Sequence, residues 1–277
     1  MTLPHPLTGQ PFTSPVRPGT GWPDDPAAAG TPAAGDAAAV RDAAGAATSL
    51  AALDARVSVC RACPRLVTWR EQVAVDKRAA YAEQPYWGRP VPGFGDPSPR
   101  LLVVGLAPGA HGANRTGRNF TGDRSGDFLY GALFRAGYAT QPTSTHAGDG
   151  LQLRGVRITP AVHCVPPANR PTPAEAATCA PWLDRELSLC GAALTGVLCL
   201  GALAWTAFRG AAARGGWTLP PRVPPFGHGA GYEAVAWGRP VAVVASYHVS
   251  QQNTFTGRLT APMFDAVLSR LAATAPA

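Results

Sequence analysis

Four short aliphatic and β-branched runs recur along the chain, at 101–105 (LLVVG), 156–159 (VRIT), 197–201 (VLCLG) and 241–245 (VAVVA). Runs this continuous read as strands buried on both faces. Helical stretches alternate with them, at 127–137, 173–189, 202–213 and 260–273. Pro173 and Glu175 make a good start for the second of these, because proline suits the first helical position and a carboxylate suits the positive end. The alternation predicts an α/β fold, a three-layer α/β/α sandwich around a mainly parallel four-stranded central sheet. In such sheets a ligand sits beyond the C-terminal ends of the strands. Three of the runs end there in loops of unusual chemistry, 105–126, 160–171 and 246–258, while the Gly201-Ala-Leu end of the remaining run looks structural.

Upstream of these runs the composition changes. Residues 1–45 are mostly Pro, Gly, Ala and Thr, which predicts a disordered tail before a folded unit spanning 46–277. Helices are expected over 49–59 and 65–75, with Ser49 or Thr48 as the first cap. With 24 Lys and Arg against 17 Asp and Glu, the formal charge is +7, a balance that suits a polyanionic partner. No window approaches the roughly 20 apolar residues of a membrane span, and the N-terminus lacks the pattern of a secretory leader. A reducing cytoplasm is therefore the expected compartment, where paired cysteines favour metal over disulfide.

Cys60 and Cys63 form a CxxC, and Cys164 and Cys179 are separated by fourteen intervening residues. The CxxC precedes the first strand, which weakens a thioredoxin-like reading. Zinc sites pair two tight turns, and the second turn is missing. An iron–sulfur cage tolerates ligands from separate segments. Cys199, inside an apolar strand, and Cys190, at a helix end, read as core residues.

The first loop runs GLAPGAHGANRTGRNFTGD from Gly105 to Asp123, the second contains CVPPANRP, and the third is SYHVSQQNTFTGR from Ser246 to Arg258. The first lacks both the P-loop GK[ST] and the GxGxxG fingerprint. Together these loops resemble the uracil-DNA glycosylase superfamily, specifically its family 5, the iron–sulfur type B enzymes, over about residues 55 to 272. The resemblance implies a DNA glycosylase that flips out and excises uracil, and other deaminated bases such as hypoxanthine or xanthine, so initiating base excision repair. It also implies a 4Fe–4S cluster on Cys60, Cys63, Cys164 and Cys179.

By similarity, Phe120 is the aromatic that stacks on the flipped base, and His248 donates a hydrogen bond toward the departing base. Asp123 and Asn169 would hold and polarise the attacking water. Gly105, Ala107 and Asn253 complete the expected base contacts, and Arg115, Arg118, Gln252 and Arg258 are the expected DNA contacts. Gln252 and Asn253 stand in the stretch that would wedge into the gap left by the base. The family's apolar first motif matches Leu106 and Ala107. The uracil-reading Asn of related families falls near Pro160, which has no donor, so a wider substrate range is expected. The partner would be damaged double-stranded DNA, bound by a monomer near the nucleoid. The competing class is a non-catalytic iron–sulfur protein that grips abasic or single-stranded DNA, and a third is a nucleotide- or base-modifying hydrolase on the same scaffold.

Overall fold

The structure, a computed structural model, describes residues 2–273; positions 274–277 of the expected folded unit lie outside the described residues. The chain opens with a short antiparallel ladder, β1 (Leu3–Pro4) and β2 (Pro11–Phe12), followed by α1 (Ala37–Gly45), α2 (Leu50–Ser58) and α3 (Pro64–Asp76). Next come β3 (Phe94–Gly95), β4 (Leu101–Gly105), the short α4 (Ala113–Thr116) and α5 (Arg124–Arg135). Then follow β5 (Val156–Pro160), α6 (Pro173–Cys190), β6 (Gly196–Leu200) and α7 (Ala202–Arg214). The hairpin β7 (Gly231–Ala236) and β8 (Arg239–Ser246), the one-turn α8 (Gln251–Thr254) and α9 (Ala261–Ala272) complete the chain.

The sheet order is β3-β5-β4-β6-β8-β7. Its inner four strands are parallel and are the four apolar runs of the sequence. The expected sheet was too small, because antiparallel strands β3 and β7 add an edge on each side. β3 is two residues long, and β7 buries little besides Ala234 and Ala236, so neither makes a continuous apolar run. Strand periodicity sends alternate side chains to opposite layers. Leu102, Val104, Val197, Cys199, Val243 and Ala245 pack with the buried faces of α1, α2, α6 and α7. Leu101, Val103, Val156, Ile158, Leu198 and Val244 pack with α5 and α9. The three-layer α/β/α architecture follows.

Local signals set the helix starts. Ser49 accepts from the Ala52 amide, and Thr172 forms a reciprocal capping box with Glu175 ahead of Pro173. A buried ion network then ties α2, β5 and α6 together. Arg157 Nη2 donates to Asp54 Oδ1 at 2.7 Å, and Thr159 Oγ1 donates to Glu186 Oε2 at 2.6 Å.

The N-terminal segment departs from the expected disordered tail. Phe12, Val16 and Trp22 are buried against Trp87, Val91, Ala113 and Ala147. Trp22 Nε1 donates to the Thr116 carbonyl at 3.3 Å, and Arg89 holds both Asp25 oxygens at 2.9 and 3.0 Å. α1 places Val40 and Ala44 in the layer that contains α6. The composition argument asks whether a segment can bury a core of its own. An extended segment needs only a few large anchors that fit grooves in a body already folded.

Candidate active site

Chain connections leave β4 toward β5 and leave β6 toward β8 on the opposite side, so the strand order reverses between the parallel neighbours β4 and β6. A crevice opens beyond the strand ends at such a point. Here it is a pocket of about 200 Å³, lined by Gly105, Ala107, Phe120, Asp123, Asn169 and His248, with Leu106, Pro160 and Ser250 among its other walls. The three candidate catalytic residues and three of the four expected base contacts thus meet in one place.

Phe120 adopts a left-handed backbone (φ 51°) that carries its ring over the end of β4. A Cβ at Gly105 would come within 3.0 Å of that ring, so only glycine leaves the room it needs. The Phe120 and His248 rings lie 6.0 Å apart at 37°, two walls of one slot. Asp123 caps α5 through Oδ1, which accepts from the Gly126 amide at 3.1 Å. Its Oδ2 lies against the turn at Gly109 and Gly112, and a side chain at Gly112 would collide with it. Asp123 is therefore both a helix cap and a pocket wall. Burial raises its pKa above the usual carboxylate range, opposed by the amides of Gly126 and Ser125. Burial lowers the pKa of His248, which favours the neutral imidazole.

Asn169 reaches the pocket from the loop after β5, where it and Ala168 share left-handed backbone (φ 55° and 53°). Asn253 does not line the pocket. Its Nδ2 donates to the His248 carbonyl at 2.8 Å, so it holds the histidine loop in place. Gly201 supports the start of the His248 loop through its backbone, its amide donating to the Ser246 carbonyl at 2.9 Å. Sequence reasoning missed that support, because nothing near Gly201 in the chain points to the loop after β8.

The expected phosphate contacts divide. Arg115 and Arg118 are buried, and internal acceptors take up both guanidinium groups. Arg115 donates to the His111 and Gly122 carbonyls and to Gln84, and stacks on Tyr81 with its Cζ 3.9 Å from the ring centre. Arg118 donates to Asp149 at 2.6 Å and to Thr121 and Ser144. Gln84, Ser144 and Asp149 lie 31, 26 and 31 residues from the arginines they bind, so the loop alone shows only part of this internal role. Arg258 and Gln252 are exposed, with Arg258 Cζ 4.5 Å from the Tyr247 ring centre. A groove of about 930 Å³ continues from the pocket, sharing Gly109, Asp123 and Asn169 with it. Exposed Arg78 and Arg124 line this groove, as do Tyr81, His111, Gln251 and Phe255. His111 Nδ1 lies 3.2 Å from the Tyr86 hydroxyl, within the wall.

A second special region lies beneath α3 and α6. Cys60, Cys63, Cys164 and Cys179 ring a small cavity with Val40, Leu66, Arg70, His163 and Trp182. The buried Arg70 donates through Nη1 to Cys164 Sγ at 2.9 Å, and the His163 amide lies 3.4 Å from Cys179 Sγ. Arg70 Nε and His163 Nε2 are buried without partners. Burial raises the thiol pKa values of Cys60, Cys63 and Cys179, and neighbouring thiols add to the shift. Among the described residues no three His, Cys, Asp or Glu side chains are disposed to hold a single metal ion. Cys190 and Cys199 are buried in the core, as expected. Among the described residues no helix is long and apolar enough to cross a membrane.

The profile of the uracil DNA glycosylase superfamily matches residues 92–272, which include every pocket residue. A type-5 uracil-DNA glycosylase of Mycobacterium tuberculosis is 57% identical over 262 residues, covering 94% of this chain and 95% of the relative. The type-5 enzyme of Thermus thermophilus is 52% identical over 76% of this chain and 92% of its own length. A type-4 uracil-DNA glycosylase of Archaeoglobus fulgidus is 33% identical over 57% of this chain and 69% of its own length. The loops that shape the pocket and the similarity along nearly the whole chain agree, and the chain belongs to the uracil DNA glycosylase superfamily, in its type-5 branch.

Proposed function

We propose that the chain is a monofunctional uracil-DNA glycosylase, which hydrolyses the N-glycosidic bond of uracil in damaged double-stranded DNA. The carrying observation is the meeting of Phe120, Asp123, Asn169 and His248 in one pocket at the strand ends. A duplex hides the glycosidic bond, so the base must be turned out before it can be cut. Phe120 offers a π-face for the extruded base. His248, kept neutral by burial, donates an N–H toward the base oxygen on which negative charge grows. Asp123 and Asn169 hold the water that attacks C1′. The water oxygen bonds to C1′, the C1′–N bond breaks with its electron pair leaving on the base, and the water proton passes to the Asp123 carboxylate. The same carboxylate stabilises positive charge on the sugar. Lys77, the only lysine in the chain, caps the end of α3 outside the pocket, which favours hydrolysis over a Schiff-base lyase route.

The thiol cavity fits a 4Fe–4S cluster held by Cys60, Cys63, Cys164 and Cys179. Four sulfurs ring one space without converging on a single ion, which suits a cage better than zinc. The buried Arg70 cation, with an unpaired Nε, matches the net negative charge of a cluster with four thiolates. Bound, the cluster supplies cross-linking of three chain segments; the residues named above carry the excision chemistry. The raised thiol pKa values mean that ligation must displace protons.

Pro160 lines the pocket where a base-reading amide would discriminate, so hypoxanthine and xanthine are proposed as further substrates. The protein is taken to act as a monomer in the cytoplasm, close to the nucleoid. The test is a panel of duplexes, each with one uracil, hypoxanthine or xanthine, incubated with protein and then treated with alkali to cut abasic sites. Cleavage at uracil supports the reading. Binding to abasic DNA with no cleavage of any duplex favours a non-catalytic DNA-binding protein.

A further inference from the structure

The two peptide planes that flank His248 set where its ring can point. The plane after it is held by Asn253, whose Nδ2 donates to the His248 carbonyl at 2.8 Å. The plane before it carries the Tyr247 carbonyl, which accepts from the Ser246 hydroxyl at 2.9 Å. Ser246 ends β8 and is fully buried. A hydroxyl has one proton to give. With that proton committed to Tyr247, His228 Nδ1, 3.3 Å from Ser246 Oγ, is the donor of the other contact. A chain of hydrogen bonds thus runs from His228 through Ser246 to the peptide that precedes His248.

His228 belongs to none of the three loops that shape the pocket. It lies in the stretch 215–230, between α7 and β7, which turns back along the end of β8. The Gly229 amide donates to the Ala245 carbonyl at 2.8 Å, and the Ala245 amide donates to the Ala230 carbonyl at 2.8 Å. This pairing continues the antiparallel ladder of β7 and β8 and delivers His228 beside Ser246. The half-buried His228 ring also packs 5.3 Å from the Tyr247 ring, at 35°. His228 itself does not line the pocket.

We infer that His228 is a positioning residue, which acts through the Ser246 hydroxyl on the Tyr247–His248 peptide and so aims His248 at the departing base. The inference rests on the glycosylase reading above and adds to it a residue remote from the pocket. A donor stabilises developing charge only when it already points at the atom where that charge grows. Without His228 the Ser246 hydroxyl loses its second partner, and the peptide ahead of His248 is held on one side only. The loss then falls on the chemical step and leaves DNA binding in place.

The full-length parent and its His228→Ala, His228→Asn, His228→Phe and Ser246→Ala variants can be compared in single-turnover excision of uracil from a U·G duplex. Each is measured in the parental and in the His248→Ala background, with abasic-DNA affinity beside it. His228→Ala and Ser246→Ala should each lower the rate by about fivefold or more at unchanged affinity. His228→Asn, whose side-chain amide can donate in place of Nδ1, should recover most of the rate. His228→Phe, which keeps a ring against Tyr247 but has no donor, should not. In the His248→Ala background the further loss should be under about twofold, because the residue through which His228 acts is gone. The Asn and Phe pair carries the test if the alanine variant does not fold. Recovery by Phe as complete as by Asn, an undiminished loss in the His248→Ala background, or parental rates in both His228→Phe and Ser246→Ala would overturn the inference. If the parent releases no uracil, or His248→Ala alone excises at the parental rate, the glycosylase reading of the pocket fails first and the positioning role falls with it.

Discussion

The loop after β5 runs through both special regions of the molecule. Pro160 and Asn169 border the base pocket, and between them Cys164 turns down into the thiol cavity. The pocket continues into a wide groove, with glycines clearing space for a ring and a carboxylate. The thiol cavity is smaller, and its thiols, one arginine and one histidine line one space. On the proposed function, one region takes a ligand that arrives and leaves and the other a group that stays. The difference teaches where Asn169 is exposed to change: it ends a single short turn, Pro167–Asn169, with left-handed backbone at Ala168 and Asn169, five residues beyond Cys164, so its position is expected to follow that of the cavity.

Cys164→Ser should break this dependence with the largest effect. The broad visible absorbance of a cluster should disappear, soluble yield should fall, and excision should drop by about a hundredfold or more as the loop loosens. Cys199→Ser, deep in β6, should keep the colour. A colourless Cys164→Ser protein with parental activity would show that the two regions are independent.

Deleting residues 1–45 should come next. Phe12, Val16, Trp22 and Val40 leave their buried sites, each worth about 1.5–3 kcal/mol as an upper bound. The thermal midpoint should fall by about 10 °C or more, and because Val40 lines the cavity, colour should bleach at lower temperature than in the parent. An unchanged midpoint would mean that the segment is laid on the body without stabilising it.

On the pocket side, His248→Ala should slow single-turnover excision by about tenfold or more while abasic-DNA affinity holds, since on the proposed function the histidine serves the transition state. A smaller effect should come from pH. On the proposed function Asp123 acts as carboxylate, and burial raises its pKa, so the rate should climb with pH through a limb displaced upward from that of a free carboxylate and then level off. Because burial lowers the pKa of His248, its protonation should cause no fall in the ordinary histidine range. Asp123→Asn should remove the acid limb. A limb that survives it belongs to another group.

The parallel core was legible because its four strands are continuous apolar runs, and the pocket was legible because its loops carry distinctive residues next to those runs. The edge strands were not, being short or one-faced. Arg115 and Arg118 look like surface charge until Gln84 and Asp149, each about thirty residues distant, are seen to bind them. The N-terminal anchors are sparse in sequence, and only the body they fit gives them a partner.

The central claim is that the pocket residues, acting together, excise uracil. Single-turnover excision from a U·G duplex, by the parent and by the double variant Asp123→Ala/Asn169→Ala, with abasic-DNA affinity measured beside it, tests this most directly. The expected result is complete excision by the parent, a rate lower by about a hundredfold or more in the double variant, and unchanged affinity. Equal rates in the two proteins, or an intact parent that binds abasic DNA and releases no uracil, would contradict it.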